Sequence, residues 1–185
     1  MDQISTPPAF AGWLGATNEV TKTFLSAGQI PDLINLAGGL PDPATFPKDE
    51  LAEIAAQVIL EHAAEVLAYG PLEGLGELRD AIAARFSSPA LKLERANVMV
   101  ITGGMQGLDL LGKVLVEPGQ VIAAQRPTYL GAIDAWRPRE PSYRALDLTD
   151  PALDPVAVLE GAQFAYTVPN FSNPTGRLVP LALRR

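Results

Sequence analysis

An open α/β fold, its mostly parallel sheet flanked by helices, is what this sequence predicts, and three observations predict it. From residue 98 onward short apolar runs alternate with helical patterns, and strands separated by helices pair in parallel through right-handed crossovers. Loops crowded with unusual residues follow Ile101, Ala124 and Val168. These are the carboxyl ends of predicted strands, where sheets of this kind bind their ligands. With 185 residues, 48% of them hydrophobic, the chain is long enough to bury a core without staples.

The stretch 1–13 mixes Pro, Gly and aromatics and reads as an irregular arm. Thr17 or Asn18 can cap a short helix over 19–27, ended by Gly28. The stretch 36–46 carries too many Gly and Pro residues for a regular element and reads as a structured loop. The clearest helix runs over 47–68. Pro47 suits its first turn, Asp49 and Glu50 suit its positive end, and Leu51, Ile54, Ala55, Val58 and Ile59 follow one apolar stripe. Tyr69-Gly70-Pro71 breaks it, and a second helix follows over 75–86. Strands are then expected at 98–101, 121–124, 143–146 and 164–168. Helices are expected at 108–116, after Pro127-Thr128-Tyr129 as far as Trp136, and at 155–159. The division expected is an N-terminal segment over 1–46 that includes the arm, and a larger unit over 47–185.

Composition excludes several function classes. Cysteine is absent, so disulfides, thiol catalysis and Cys-based metal sites are out. His62 is the single histidine, and no metal site is expected; mid-helix, it reads as a surface or interface residue. A net charge of −7 argues against a nucleic-acid partner, which calls for a basic stripe. No apolar run approaches the roughly 20 residues of a membrane span, and the N-terminus does not resemble a signal peptide. A soluble cytoplasmic protein is the expectation.

Three loops carry candidate chemistry. Thr102-Gly103-Gly104-Met105-Gln106-Gly107 joins a predicted strand to a helix. Glycines admit an anion close to the backbone, and the first amides of a helix are unpaired donors at its positive end. The segment is neither a Walker loop nor G-x-G-x-x-G, so it reads equally as a phosphate cradle or a plain turn. Pro127-Thr128-Tyr129 places an aromatic at a strand tip, where it either lies flat on a planar ring or plugs the top of the sheet. Asn170-Phe171-Ser172-Asn173-Pro174-Thr175-Gly176 follows the last strand. Asn173-Pro174 is a turn dipeptide with a raised chance of a cis bond, and a rigidly held Asn amide can donate to a phenolate-like oxygen.

LAGGLPDPATFP, LAYGPLEGLGELRDAIA, ITGGMQGLDLL, RPTYLGAI and VPNFSNPTGR occur in that order. Together they resemble the class I/II aminotransferases, fold-type I enzymes dependent on pyridoxal 5′-phosphate (PLP). The nearest look is the 2-aminoadipate and multi-substrate branch, which also resembles the aminotransferase-like half of MocR-type regulators. The resemblance implies amides of Gly104, Met105 and Gln106 on the cofactor phosphate, with Tyr129 stacked on its ring and Asn173 on the ring 3′-oxygen. Tyr69 would reach the phosphate of a partner subunit's cofactor, which requires a homodimer, and Gly39 would line the substrate site. The family often has Glu where this chain has Gln125.

Amino acids and 2-oxo acids are the substrates implied. The resemblance also implies a Schiff-base lysine, with an aspartate for the pyridine nitrogen, and these cannot be placed here. Lys22, Lys48, Lys92 and Lys113 all lie outside a Ser-x-x-Lys context. The expectation is therefore a large domain truncated before that lysine, without catalytic activity of its own. A lyase of the same fold, or a nucleotide-binding α/β module using the Gly103 turn, is the alternative reading.

Overall fold

Valine, isoleucine and alanine at 121–124 make a segment that can be buried on both faces, and it becomes the middle of the sheet. The computed structural model describes residues 9–16, 20, 23, 26, 30–34, 39 and 41–184. Strands β1 (Val121–Gln125), β2 (Ser142–Leu146) and β3 (Ala162–Tyr166) lie in the order β2-β1-β3. Both pairings are parallel, as the alternation of strand and helix requires. By compactness the chain divides into residues 20–101 and the remainder. The expected boundary between 46 and 47 is a different division from this one.

Within 20–101, helix α1 (Lys48–Val66) occupies the predicted stretch, but His62 takes non-helical angles (φ −127°, ψ 25°) and kinks it. Helix α2 (Gly76–Phe86) starts one residue later than expected. The strand expected at 98–101 does not form. Its backbone groups are taken elsewhere: Val100 N–H donates to the Glu73 carbonyl (2.8 Å), and the Val98 carbonyl accepts from Arg79 Nε (2.7 Å). Each of these bonds gives a ladder group of the run to a neighbour that is not a strand. Of the helix expected over 19–27, Val20, Thr23 and Ser26 are described and helical. Its expected caps, Thr17 and Asn18, and its stop at Gly28 lie outside the described residues.

In the other unit, helix α3 (Gly104–Leu115) begins four residues earlier than predicted, so the glycine-rich segment is itself the first turn. Helix α4 (Leu130–Trp136) leads from β1 to β2, and α5 (Pro155–Leu159) from β2 to β3. Asp154 starts α5 by accepting from the amides of Val156 and Ala157, with Pro155 in the first turn. Arg144 of β2 closes its other end, Nη1 donating to the carbonyls of Ala157, Val158 and Glu160, a cation where the helix dipole is negative. Its neighbour Tyr143 instead lines a cavity with Ile133 and Arg137 of the α4 side. Successive strand residues point to opposite faces, so α4 and α5 cover opposite faces of the sheet.

The core is built around Trp136, which is fully buried with Ile122, Ala132 and Val116. Its ring meets Phe164 and Tyr166 edge-on, with centroids 5.2 and 5.1 Å apart. Its Nε1 donates to the Leu108 carbonyl at 2.8 Å, so the indole buries no unpaired donor. Taking an aromatic of this size out of water contributes about 3 kcal/mol, and this one side chain joins α3, α4 and β3.

Candidate functional site

The carboxyl ends of the strands and the start of α3 carry the candidate residues. Gly103 adopts φ +82°, a conformation that side chains rarely tolerate, and turns the chain sharply into α3. A Cβ built on Gly103 or Gly104 would meet nothing within 4 Å, so the space before the helix is open. The first amides of α3, on Gly104, Met105 and Gln106, lack intrahelical partners by helix geometry. The Gln106 side chain folds back on the turn, where its Oε1 accepts from the Thr102 N–H at 2.5 Å and pins it.

The second loop follows β1 through a cis Arg126-Pro127 bond. Tyr129 caps the start of α4, and its ring lies down over Gly131, where a Cβ would run into Tyr129 Cζ. The Tyr129 hydroxyl points to Met105 Sδ at 3.9 Å. The aromatic and the open helix end, read as separate loops in the sequence, are thereby brought together. Thr128 Oγ1 is shut off from solvent and has no hydrogen-bond partner among the described residues. Burial holds the Tyr166 hydroxyl above the ordinary tyrosine range, and Tyr129 adds to the shift.

The third loop follows β3, which spans 162–166 rather than the expected 164–168. The Asn173-Pro174 bond is cis. Asn173 is exposed, and Ser172 beside it is buried. The loop closes on itself: Ser172 N–H donates to the Arg177 carbonyl (2.8 Å), Gly176 N–H to the Ser172 carbonyl (2.5 Å) and Val179 N–H to the Pro169 carbonyl (2.9 Å). Arg184 braces it from below, donating to the Val179 and Pro169 carbonyls and to Asn170 Oδ1. Its tie to β1 is Gln125, a buried polar residue whose Oε1 accepts from the Val168 N–H (2.7 Å) and whose Nε2 donates to Ser172 Oγ (3.1 Å).

A cavity of about 440 Å³ lies beside these loops, lined in part by Gln125, Arg126, Asp147, Thr149, Thr175 and Arg177. Asp147 is held below the usual carboxylate range, first by the Thr149 hydroxyl, then by the Thr149 N–H, with Arg126 and Arg177 adding their fields.

The structure thus gathers Gly104, Met105, Gln106 and Tyr129 at one place, with Asn173 on the neighbouring loop of the same unit. Tyr69 and Gly39 belong to the 20–101 unit; Tyr69 is exposed. Sequence reasoning attached no role to Gln125 and overlooked Ser172. The available signal was an amide side chain ending an otherwise apolar strand run, just before the Arg126-Pro127 turn.

A strand-tip aromatic stands beside an open helix start on a parallel sheet of order β2-β1-β3, and comparison with known proteins gives the family. The pattern of the family "aminotransferase class I and II" matches residues 31–183, and the chain belongs to that family. Among its relatives is a 2-aminoadipate transaminase of Thermus thermophilus, 35% identical over 191 residues that take in 100% of this chain and 47% of that protein. The multiple substrate aminotransferase of Thermococcus profundus is similar in structure, with a TM-score of 0.77 and 34% identity over 95% of this chain and 46% of that one. The α-aminoadipate aminotransferase of Thermus thermophilus, solved with N-(5′-phosphopyridoxyl)-L-leucine, gives a TM-score of 0.71 at 33% identity, over 94% of this chain and 46% of its own. The chain spans about half the length of the relatives it matches.

Proposed function

We propose that this chain is the cofactor-cradling part of a PLP-dependent aminotransferase, which moves an amino group from an amino acid to a 2-oxo acid. One observation carries the reading: the Tyr129 hydroxyl 3.9 Å from Met105 Sδ, beside an open helix start. A flat, phosphorylated ring fits such a place, its anion on the amides of Gly104, Met105 and Gln106 and its face toward Tyr129. The open space before Gly103 and Gly104, which a Cβ would enter without contact, agrees with that fit. Asn173 donates its amide to the ring 3′-oxygen. When bound, PLP supplies the carbonyl carbon that takes up the amino group and the ring that withdraws electrons from it. The chain's own residues bind and orient.

In the same reading Gly39 lines the substrate site. Tyr69, fully exposed at the end of the α1 segment, reaches the phosphate of a partner subunit's cofactor in a cytoplasmic homodimer. The exposed apolar residues of the α1 stripe, Leu51, Ile54 and Ile59, support a protein-covered face there.

Titration of the purified chain with PLP and, separately, with NADH tests the reading by absorbance and fluorescence. Selective PLP binding is expected, lost in Gly104→Asp, which sets a carboxylate where the phosphate sits yet suits the helix dipole. Selective NADH binding overturns it in favour of a nucleotide module. Borohydride treatment with PLP is expected to label no single lysine among Lys22, Lys48, Lys92 and Lys113.

A further inference from the structure

The β1·β3 ladder ends at Ala124↔Tyr166. Two residues further along, the Val168 N–H has no strand to pair with, and the Gln125 side chain accepts it instead. The other end of the same amide donates to Ser172 Oγ. One side chain therefore clamps the loop at two points, immediately before Asn173. Ser172 is 1% exposed and Gln125 9%, so water does not replace these bonds cheaply. The loop's own bonds, and those from Arg184, fix its internal shape. Among the described hydrogen bonds, only those of Gln125 fix it to the middle strand.

We propose that Gln125 is a positioning residue: it continues the β1·β3 ladder by one side-chain rung and sets where the Asn173 amide stands. The consequence for cofactor binding rests on the PLP reading above; the positioning itself does not. The geometry asks for an acceptor toward Val168 and a partner for the Ser172 hydroxyl. Gln meets both needs. Glu meets them too, because the Ser172 hydroxyl can turn and donate. Met has nearly the same volume and meets neither.

Hydrogen exchange on the ligand-free 185-residue chain tests the positioning. Gln125→Met is expected to raise exchange at the Val168 amide and across 170–176 about tenfold, the scale of a lost buried hydrogen bond. Amides of 122–124 stay protected, and Gln125→Glu behaves as the parent chain does. Equal exchange at Val168 in all three chains overturns the proposal. So does a loss in Gln125→Met that Gln125→Glu fails to rescue. If Gln125→Met loses the core protection as well, Ser172→Ala decides, since it removes one clamp and leaves β1 intact: unchanged exchange at 170–176 overturns the proposal, and faster exchange supports it.

PLP affinity gives the second readout. Gln125→Met and Asn173→Ala are each expected to weaken PLP about tenfold, the double variant no more than Asn173→Ala alone. Inorganic phosphate is unaffected by Gln125→Met. Additive losses overturn the route through Asn173. A parent chain without affinity for PLP refutes the proposed function, while the exchange result still decides for or against Gln125.

Discussion

Helix α1 spans 19 residues and buries none of them, whereas α4 spans seven and takes Ala132 and Trp136 out of water. The difference lies in what each helix faces. α4 joins β1 to β2, so its inward side meets the sheet, and Trp136 lands on Phe164 and Tyr166. On α1, Leu51, Ile54 and Ile59 of the apolar stripe are all at least 46% exposed. Apolar periodicity makes a helix amphipathic, but only a facing surface turns that stripe into stabilisation.

Variants can break or sharpen this contrast. The largest expected effect is Trp136→Ala, a loss of about 3–5 kcal/mol, enough to remove the cooperative urea transition of a marginally stable domain. A shallow shift in midpoint would mean that the core does not depend on this residue. Next come two glycines with similar clashes and unlike outcomes. A Cβ at Gly112 would sit 2.7 Å from Trp136 Cδ1, and that ring, fully buried, cannot yield. Gly112→Ala is therefore expected to destabilise by about 1–3 kcal/mol in the same urea titration.

At Gly131 the obstacle is the tip of Tyr129, a half-buried ring packed against the edge of the core, whose outer end can give more readily than the enclosed indole. Gly131→Ala is expected to change the urea midpoint little while weakening PLP binding. A midpoint change as large as that of Gly112→Ala would mean that the Tyr129 ring is held by the core as firmly as Trp136 is. On α1, Leu60→Lys at 83% exposure is expected to stay within about 0.5 kcal/mol of the parent chain by thermal melt.

The smallest effect concerns Tyr143. Burial pushes its hydroxyl up to about 12, from an ordinary 10.0. A raised value means a contribution fully present below the ordinary tyrosine range and lost as pH climbs through the raised one. A late tyrosinate absorbance phase is expected in an alkaline titration, absent from Tyr143→Phe.

The alternation of apolar runs and helices revealed β1, β2, β3 and all three of the helices beside them, because each run is short and flanked by turn residues. It failed at 98–101, where Val100 and Val98 look like a strand but pair with Glu73 and Arg79. Apolar character identifies burial, while the choice of hydrogen-bond partner is tertiary. The start of α3 was misplaced because glycines suppress helix propensity, although Gln106 folded back on Thr102 secures that turn. Gly104 and Tyr129 were legible as separate loops. Their meeting across Met105 depends on side-chain directions that spacing does not encode. Gln125 was hidden for the same reason, since its partners lie 43 and 47 residues away.

The order β2-β1-β3 also has a temporal side. β1 is separated from its partner β2 by residues 126–141, and from its other partner β3 by the much longer stretch 126–161. Loop-closure entropy favours the nearer partner first. The half of the sheet that presents Asn173 is thus expected to assemble later, with its clamp through Gln125 completing after β1 and β2 have paired. Pulse-labelled hydrogen exchange showing the Val168 amide protected before those of 142–146 would contradict this.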